Sequence, residues 1–183
     1  MKIMFISDIH GMAGTLKKAL DHADSMKCER LVILGDILYH GPRNGVPDLY
    51  DPTEVVELLN ARKDQIIAVR GNCDAEVDQM LLNFPIMADY SELICEDSRF
   101  FLTHGHLFNE FNLPELAAGS ILAHGHTHIA ELKKLDSGIT IFNPGSISLP
   151  KTTVIKSFGL LDNRKLSIRA LEDVSNVIME TEI

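Results

Sequence analysis

The sequence predicts an α/β fold built on two packed β-sheets, in one domain spanning residues 1–183. Three observations carry that expectation. In the first half, continuous apolar runs alternate with stretches of helical periodicity, the pattern of a parallel sheet covered by helices. In the second half, short strands follow one another with few helical gaps. Between the halves lies no repeat, no low-complexity linker and no boundary at which to cut, so a second sheet packed on the first is the simplest arrangement.

The elements follow in order. "KIMFI" (2–6) is a continuous apolar run and reads as a buried strand. After a polar loop, residues 13–26 read as a helix with Leu16 and Leu20 on its apolar side. "RLVIL" (30–34) is a second buried strand. The polar stretch 35–52, rich in Gly and Pro, is too long for a simple connection. "TEVVELLNA" (53–61) reads as a helix with Thr53 as its N-cap. "QIIAV" (65–69) is a third strand, followed by "RGNCD" and a short helix near 75–82. "SELICE", "RFFLTH", "SILAHG", "AELKKL", "TIFN", "TVIKSFGLL" and "LSIRAL" then read as short strands. The turns "DSG" and "DNRK" suggest antiparallel hairpins among them.

Composition narrows the function. The chain is 45% apolar and 23% charged, the balance of a soluble globular protein, and its formal charge is −9. That charge argues against an extended nucleic-acid surface, which needs clustered Lys and Arg. Bound metal would still make a site locally positive, so an anionic substrate remains open. No apolar run reaches the ~18 residues of a membrane span, and no membrane partner is expected. The opening "MKIMFISDIHG" is too short and too polar for a signal peptide. Cys28, Cys73 and Cys95 are odd in number and form no CxxC, which makes the reducing cytoplasm the expected setting.

Polar clusters follow the apolar strands: "SDIHG", "GD", "GNCD", "THGH" and "HGHTH". Ligands of open α/β sheets bind beyond the carboxyl ends of strands, so these clusters converge on one edge of the fold. Asp8 and His10 differ by two positions, as do His126 and His128, and in extended chain each pair would face one way. Glycines at 11, 35, 71, 105 and 125 permit sharp turns there. Taken singly, an Asp after a strand is often a turn former and Gly-Asn is common turn chemistry. His22 and, for the most part, His124 read as satisfied core residues, and His40 either lines a pocket or is solvated. Five clusters at five strand ends have no single structural explanation. They point to metal ligands, with imidazoles facing carboxylate and amide oxygens.

In this order, "SDIHG", "LGD", "RGNCD", "THGH" and "HGHTH" resemble the motif series of the calcineurin-like metallophosphoesterases. "GNCD", "NPGS" (143–146) and the short chain resemble the small bacterial YfcE-type phosphodiesterases of that family. The resemblance spans residues 7–146. It implies two mixed β-sheets packed face to face and flanked by helices, a four-layer α-β-β-α sandwich. It implies that Asp8, His10 and His128 hold one metal, that Asn72, His104 and His126 hold a second, and that Asp36 bridges them. The implied function is a dinuclear metal-dependent phosphodiesterase, in which a metal-bridging hydroxide attacks a small phosphodiester. Ligands of nitrogen and oxygen suit two divalent ions, Mn²⁺ first, with Zn²⁺, Fe²⁺ or Co²⁺ also accommodated. A non-catalytic scaffold of the same fold, and a phosphomonoesterase or protein phosphatase with the same metals, are the alternatives. Intact ligands at all seven positions favour an enzyme. Many family phosphodiesterases carry His after the Asn, where Cys73 stands here. Cys73 and His106 are therefore the candidates for proton supply to the leaving group. Whether the chain forms a homo-oligomer is open.

Overall fold

A computed structural model describes every residue except Arg43, Glu96 and Thr153. Those three fall in the long polar loop, at the end of the expected strand 91–96 and at the start of the expected strand 153–161, so these parts of the expectation lie outside the described residues.

The first sheet has six strands: β1 (Lys2–Ile6), β2 (Arg30–Ile33), β3 (Ile66–Ala68), β9 (Ser157–Asp162), β10 (Lys165–Ala170) and β11 (Val177–Glu182). Their order is β11-β10-β9-β1-β2-β3. β1, β2 and β3 run parallel, and β1 pairs antiparallel with β9. The second sheet holds β4 (Tyr90–Cys95), β5 (Ser98–Thr103), β6 (Ile121–Ala123), β7 (Ala130–Lys134) and β8 (Thr140–Pro144), in the order β4-β5-β6-β8-β7. Both sheets are mixed. The "DSG" and "DNRK" turns do close antiparallel hairpins, β7–β8 and β9–β10, but β5, β6 and β8 lie parallel.

Strand alternation explains why the β1 and β2 runs are apolar throughout. Ile3, Phe5 and Val32 face the second sheet and meet Phe100, Leu102, Ala123 and Phe142. Phe5 stacks on Phe100 with ring centroids 5.5 Å apart and meets Phe142 edge-on at 5.2 Å. The alternate residues Met4, Ile6, Leu31 and Ile33 face the other way, into a core shared with Leu16, Leu20, Val55 and Leu59. These last come from helices α1 (Ala13–Ser25) and α2 (Pro52–Asn60). A third short helix, α3, covers Glu76–Leu81. No helix among the described residues is long and apolar enough to cross a membrane.

Three details differ from the sequence reading. Helix α2 is capped by Asp51, whose carboxylate accepts from the Glu54 N–H at 2.9 Å, with Pro52 in the first turn. Asp is a stronger cap than Thr, and Pro belongs just inside a helix start, so the cap moves two residues upstream of Thr53. Strand β11 was not foreseen, because "VIMETE" carries little alternation; it is an edge strand whose pairing with β10 carries a bulge at the Ile168–Arg169 step. Outside the second sheet the covering layer is irregular chain. Phe101, Leu122 and Ile141 are covered there by Phe108, Leu113 and Leu116. Asn109 turns this segment by accepting from the Phe111 and Asn112 N–H groups, and Pro114 disfavours helix at the residue before it.

Candidate metal centre

The site forms where β1, β2 and β3 of one sheet and β5 and β6 of the other release their chains at the same edge. Backbone hydrogen bonds lock the first loops together: Asp8 N–H donates to Gly35 O, His10 N–H to Asp36 O and Gly11 N–H to Ile37 O, at 3.2, 3.0 and 2.9 Å.

The loops are not extended. Asp8, His10, Asp36, His126 and His128 have φ of 54°, 51°, 55°, 66° and 60°, all in the left-handed region. The expectation that residues two apart share a face as in a strand therefore fails at both pairs. The side chains converge because each sits on a turn. A non-glycine residue there costs roughly 1–3 kcal/mol and persists only where the surroundings fix it, a pattern that clusters at functional sites. Two glycines let the loops touch. A Cβ on Gly71 would stand 2.1 Å from Asp36 Oδ1, and one on Gly125 would stand 1.8 Å from Ser7 Oγ.

Asp8, His10, Asp36, His104 and His128 are buried, each 6% exposed or less. Their ligand atoms form overlapping groups: Asp8 with His10 and His128, and Asp8 with Asp36 and His104. Asp36 Oδ2 lies 3.6 Å from His10 Nε2 and 3.5 Å from His104 Nε2, between the two sets. Asn72 Oδ1 is 3.1 Å from His104 Nε2, and the His126 ring centroid is 5.1 Å from that of His104. All seven expected ligands thus meet. His106 stands beside them, its ring 5.5 Å from His104 and 6.2 Å from His126, but it does not line the cavity. Cys73 does. The cavity, about 310 Å³, is bounded by Gly41, Pro42 and Asn44 of the long loop on one side and by Lys151 beyond His128.

The donor chemistry fits cations. Nδ1 of His10, His104 and His128 lies 2.6 Å from the carbonyls of Tyr39, Leu34 and Leu149 respectively. A carbonyl only accepts, so each Nδ1 carries the proton, and in the neutral ring Nε2 presents its lone pair to the cavity. Nε2 of His10 and of His128 lie 3.4 Å apart. Asp8 Oδ1 is buried without a hydrogen-bond partner. Lone pairs and a carboxylate oxygen turned on one point suit a divalent ion.

Charge is concentrated here. Burial would raise the Asp36 carboxyl, yet His104, the Cys73 N–H and His10 together hold it far below the usual carboxylate range. Asp8 is likewise lowered, because His128 and His104 outweigh its burial. Burial lowers His104, but Asp36 and Asp8 push it up to about 9. For Cys73, burial first and then the charge of Asp36 push the thiol up to about 12. Of the remaining histidines, His22 meets Leu171 O at 3.0 Å, and His40 meets Asn44 O at 3.2 Å between the rings of Tyr39 and Tyr50. His124 is buried with Nδ1 3.0 Å from Gly125 O and no partner for Nε2, so the expectation of a satisfied core residue fails for that nitrogen.

Comparison with known proteins identifies the family. The profile of the calcineurin-like phosphoesterase superfamily domain matches residues 1–165. The chain belongs to this superfamily. Phosphodiesterase YfcE of Escherichia coli strain K12 is 50% identical over 175 residues, which cover 96% of this chain and 95% of the relative. A solved structure of YfcE, described as a phosphoesterase from E. coli, is 49% identical, covers 100% of both chains and superposes with a TM-score of 0.96. Phosphodiesterase MJ0936 of Methanocaldococcus jannaschii is 29% identical over 93% of this chain and 98% of its own length.

This calcineurin-like phosphoesterase holds its site with residues that sequence reasoning did not single out. Asp74, in the same "GNCD", is 8% exposed and accepts from the backbone N–H groups of Asp36, Ile37 and Gly71, at 2.9, 2.8 and 2.7 Å. Burial raises its carboxyl, and those donors only partly offset that. Ser7 Oγ donates to Asp8 Oδ2 at 2.7 Å. Ser146 Oγ donates to Asp8 O and accepts from the Ser148 and Leu149 N–H groups. Asn143 donates to Gly125 O and Thr127 Oγ1, tying "NPGS" to "HGHTH". Ser7 and Asp74 stand within two positions of a ligand in their motifs, and Asn143 and Ser146 open and close "NPGS", so all four are short polar side chains of the recognisable motifs. Nothing in a sequence says which backbone groups they serve.

Asp74→Ala leaves three buried N–H donors without their acceptor. It should destabilise the fold by about 2–4 kcal/mol in chemical denaturation. It should also weaken metal binding, because the Asp36 turn loses its anchor.

Proposed function

We propose that this chain is a dinuclear metal-dependent phosphodiesterase acting on small phosphodiesters. The observation that carries the reading is Asp36 Oδ2, buried between the Nε2 atoms of His10 and His104. A carboxylate placed between two imidazole sets is what a bridging ligand requires. The identity with a named phosphodiesterase supports the choice of substrate. Asp8, His10 and His128 would hold one ion, Asn72, His104 and His126 the other, and Asp36 would be shared. Mn²⁺ is the first choice on the all-nitrogen-and-oxygen donor set together with the family resemblance, while donor type alone would also accept Zn²⁺. When bound, two divalent ions there supply positive charge for phosphoryl oxygens and acidify water to hydroxide near neutral pH.

The chain's own residues do the rest. The left-handed turns fix the ligands before substrate arrives, so little reorganisation is needed during reaction. Asp36 Oδ1 accepts from the Cys73 N–H at 2.8 Å, which orients Oδ2 toward the histidines. Lys151 contributes a cationic wall suited to an anion. The small cavity fits a compact diester better than a polymer. No serine or cysteine nucleophile is called for. Cys28, Cys73 and Cys95 form no disulfide, which suits the cytoplasm.

Proton supply is the weak point of the site. The Cys73 thiol is pushed up to about 12 by burial and the charge of Asp36, and divalent ions beside it would instead favour the thiolate, so it is a poor acid in either case. His106 is not among the cavity-lining residues. The departing alkoxide is therefore poorly served, and good leaving groups are favoured.

Chelator-stripped protein should be inactive toward phosphodiesters, and Mn²⁺ should restore turnover. Asp36→Asn should weaken metal binding at least about tenfold, as loss of a charged partner in a metal site does, and remove most hydrolysis. Activity surviving exhaustive metal removal, or faster turnover of phosphomonoesters, would refute the reading.

Across diesters of graded leaving-group pKa, the rate should fall steeply from aryl to alkyl. A placed general acid contributes ~10²–10⁴ in rate. Cys73→His should thus narrow that gap by at least about tenfold, chiefly by raising the alkyl rates.

A further inference from the structure

We propose that Cys73, with His10 and Asp36, forms a second kind of ligand set in this cavity, one that captures thiophilic divalent ions such as Cd²⁺ or Zn²⁺. The Cys73 sulfur, a His10 ring nitrogen and an Asp36 carboxylate oxygen all lie within 4.8 Å of one another. Each comes from a different loop, and each lines the cavity. The inference rests on the proposed function only in placing divalent ions at this edge of the fold.

Several contacts hold the sulfur in position. The Cys73 N–H donates to Asp36 Oδ1 at 2.8 Å, so the residue cannot turn away without releasing the carboxylate. Sγ accepts from Asn72 Nδ2 at 3.2 Å, a weak contact that a metal bond would outweigh. His10 is fixed through Nδ1 on Tyr39 O, which leaves Nε2 for an ion 3.6 Å from Asp36 Oδ2. Asp8 Oδ1, buried and without a hydrogen-bond partner, lies 3.8 Å from the same Nε2 but falls in ligand groups that do not include Cys73. One sulfur, one nitrogen and one oxygen make a three-donor set, which a bound water would complete to the four-coordination that Zn²⁺ prefers and Cd²⁺ accepts.

Metal softness then divides the outcomes. Mn²⁺ gains little from sulfur and takes the nitrogen and oxygen ligands, with Cys73 left as cavity wall. A thiophilic ion draws the thiolate into coordination, and the thiol proton passes to the buffer. Such an ion is held against the wall where substrate would lie. Cys28 and Cys95 belong to none of the ligand groups found among the described residues.

The test uses full-length, chelator-stripped protein titrated with Cd²⁺, Co²⁺ or Mn²⁺. Bound metal is counted by equilibrium dialysis, and thiolate coordination is read from sulfur-to-metal charge-transfer absorption. The expected result is a band with Cd²⁺ and Co²⁺ that saturates at about one thiolate per chain and is lost in Cys73→Ser. In that variant, Cd²⁺ affinity should fall at least about tenfold relative to Mn²⁺ affinity, as loss of one good metal ligand does. Alkylation of wild-type Cys73, mapped by mass spectrometry, should slow when Cd²⁺ is bound, which keeps the test independent of the variant's folding. A filled site without a band, unchanged alkylation, or a band that survives Cys73→Ser would overturn the inference while leaving the dinuclear reading standing. Failure of the wild type to bind any divalent ion would overturn both.

Discussion

Two buried carboxylates govern this structure. Asp8 and Asp36 lie almost out of reach of solvent, turned toward the Nε2 atoms of His10, His104 and His128. Burying a carboxylate is costly unless charge or hydrogen bonds compensate. Compensation comes here from three sides. Neighbouring histidines and N–H donors hold both carboxyls below the usual carboxylate range. Ser7 and the Cys73 N–H occupy one oxygen of each. The remaining oxygens, Asp8 Oδ1 and Asp36 Oδ2, are the ones aimed at the imidazoles. On the proposed reading, divalent ions complete the balance.

The fold serves that arrangement. Parallel strands at the centre of each sheet bring their loops to one edge, and the two sheets meet through Phe5, Phe100 and Phe142. The same packing that buries the core therefore sets the distance between the Asp8 and Asp36 loops on one side and the His104 and His126 loops on the other. Close contact at Gly71 and Gly125 removes the last gap. Left-handed turns at five of the ligand positions cost stability, which the interlocked backbone hydrogen bonds and Asp74 offset.

Much of this was legible in the sequence, for identifiable reasons. Buried parallel strands are continuously apolar, so "KIMFI" and "RLVIL" declared themselves. Ligands cluster after such strands, so their positions could be read without coordinates. The turn geometry could not. Asp8 and His10 look like a strand pair in sequence and are left-handed residues on either side of Ile9 in a loop. Asp51 took the cap expected at Thr53 because Pro52 fits the first turn. Strand β11 escaped because an exposed edge strand needs little apolar alternation. Asp74 escaped because its partners are backbone N–H groups, which every residue but proline has.

The central claim is that the site is built around charge that divalent ions complete. Thermal unfolding of stripped protein against added Mn²⁺, with bound metal counted in parallel, tests it most directly. Free metal at a hundredfold excess over Kd adds about 2.7 kcal/mol per ion bound only to the folded chain. For a chain of this size each kcal/mol moves Tm by roughly 2–4 °C. The account predicts two ions per chain and a saturable rise of about 5–10 °C for each. Absence of bound metal, or two bound ions with no rise in Tm, would contradict it.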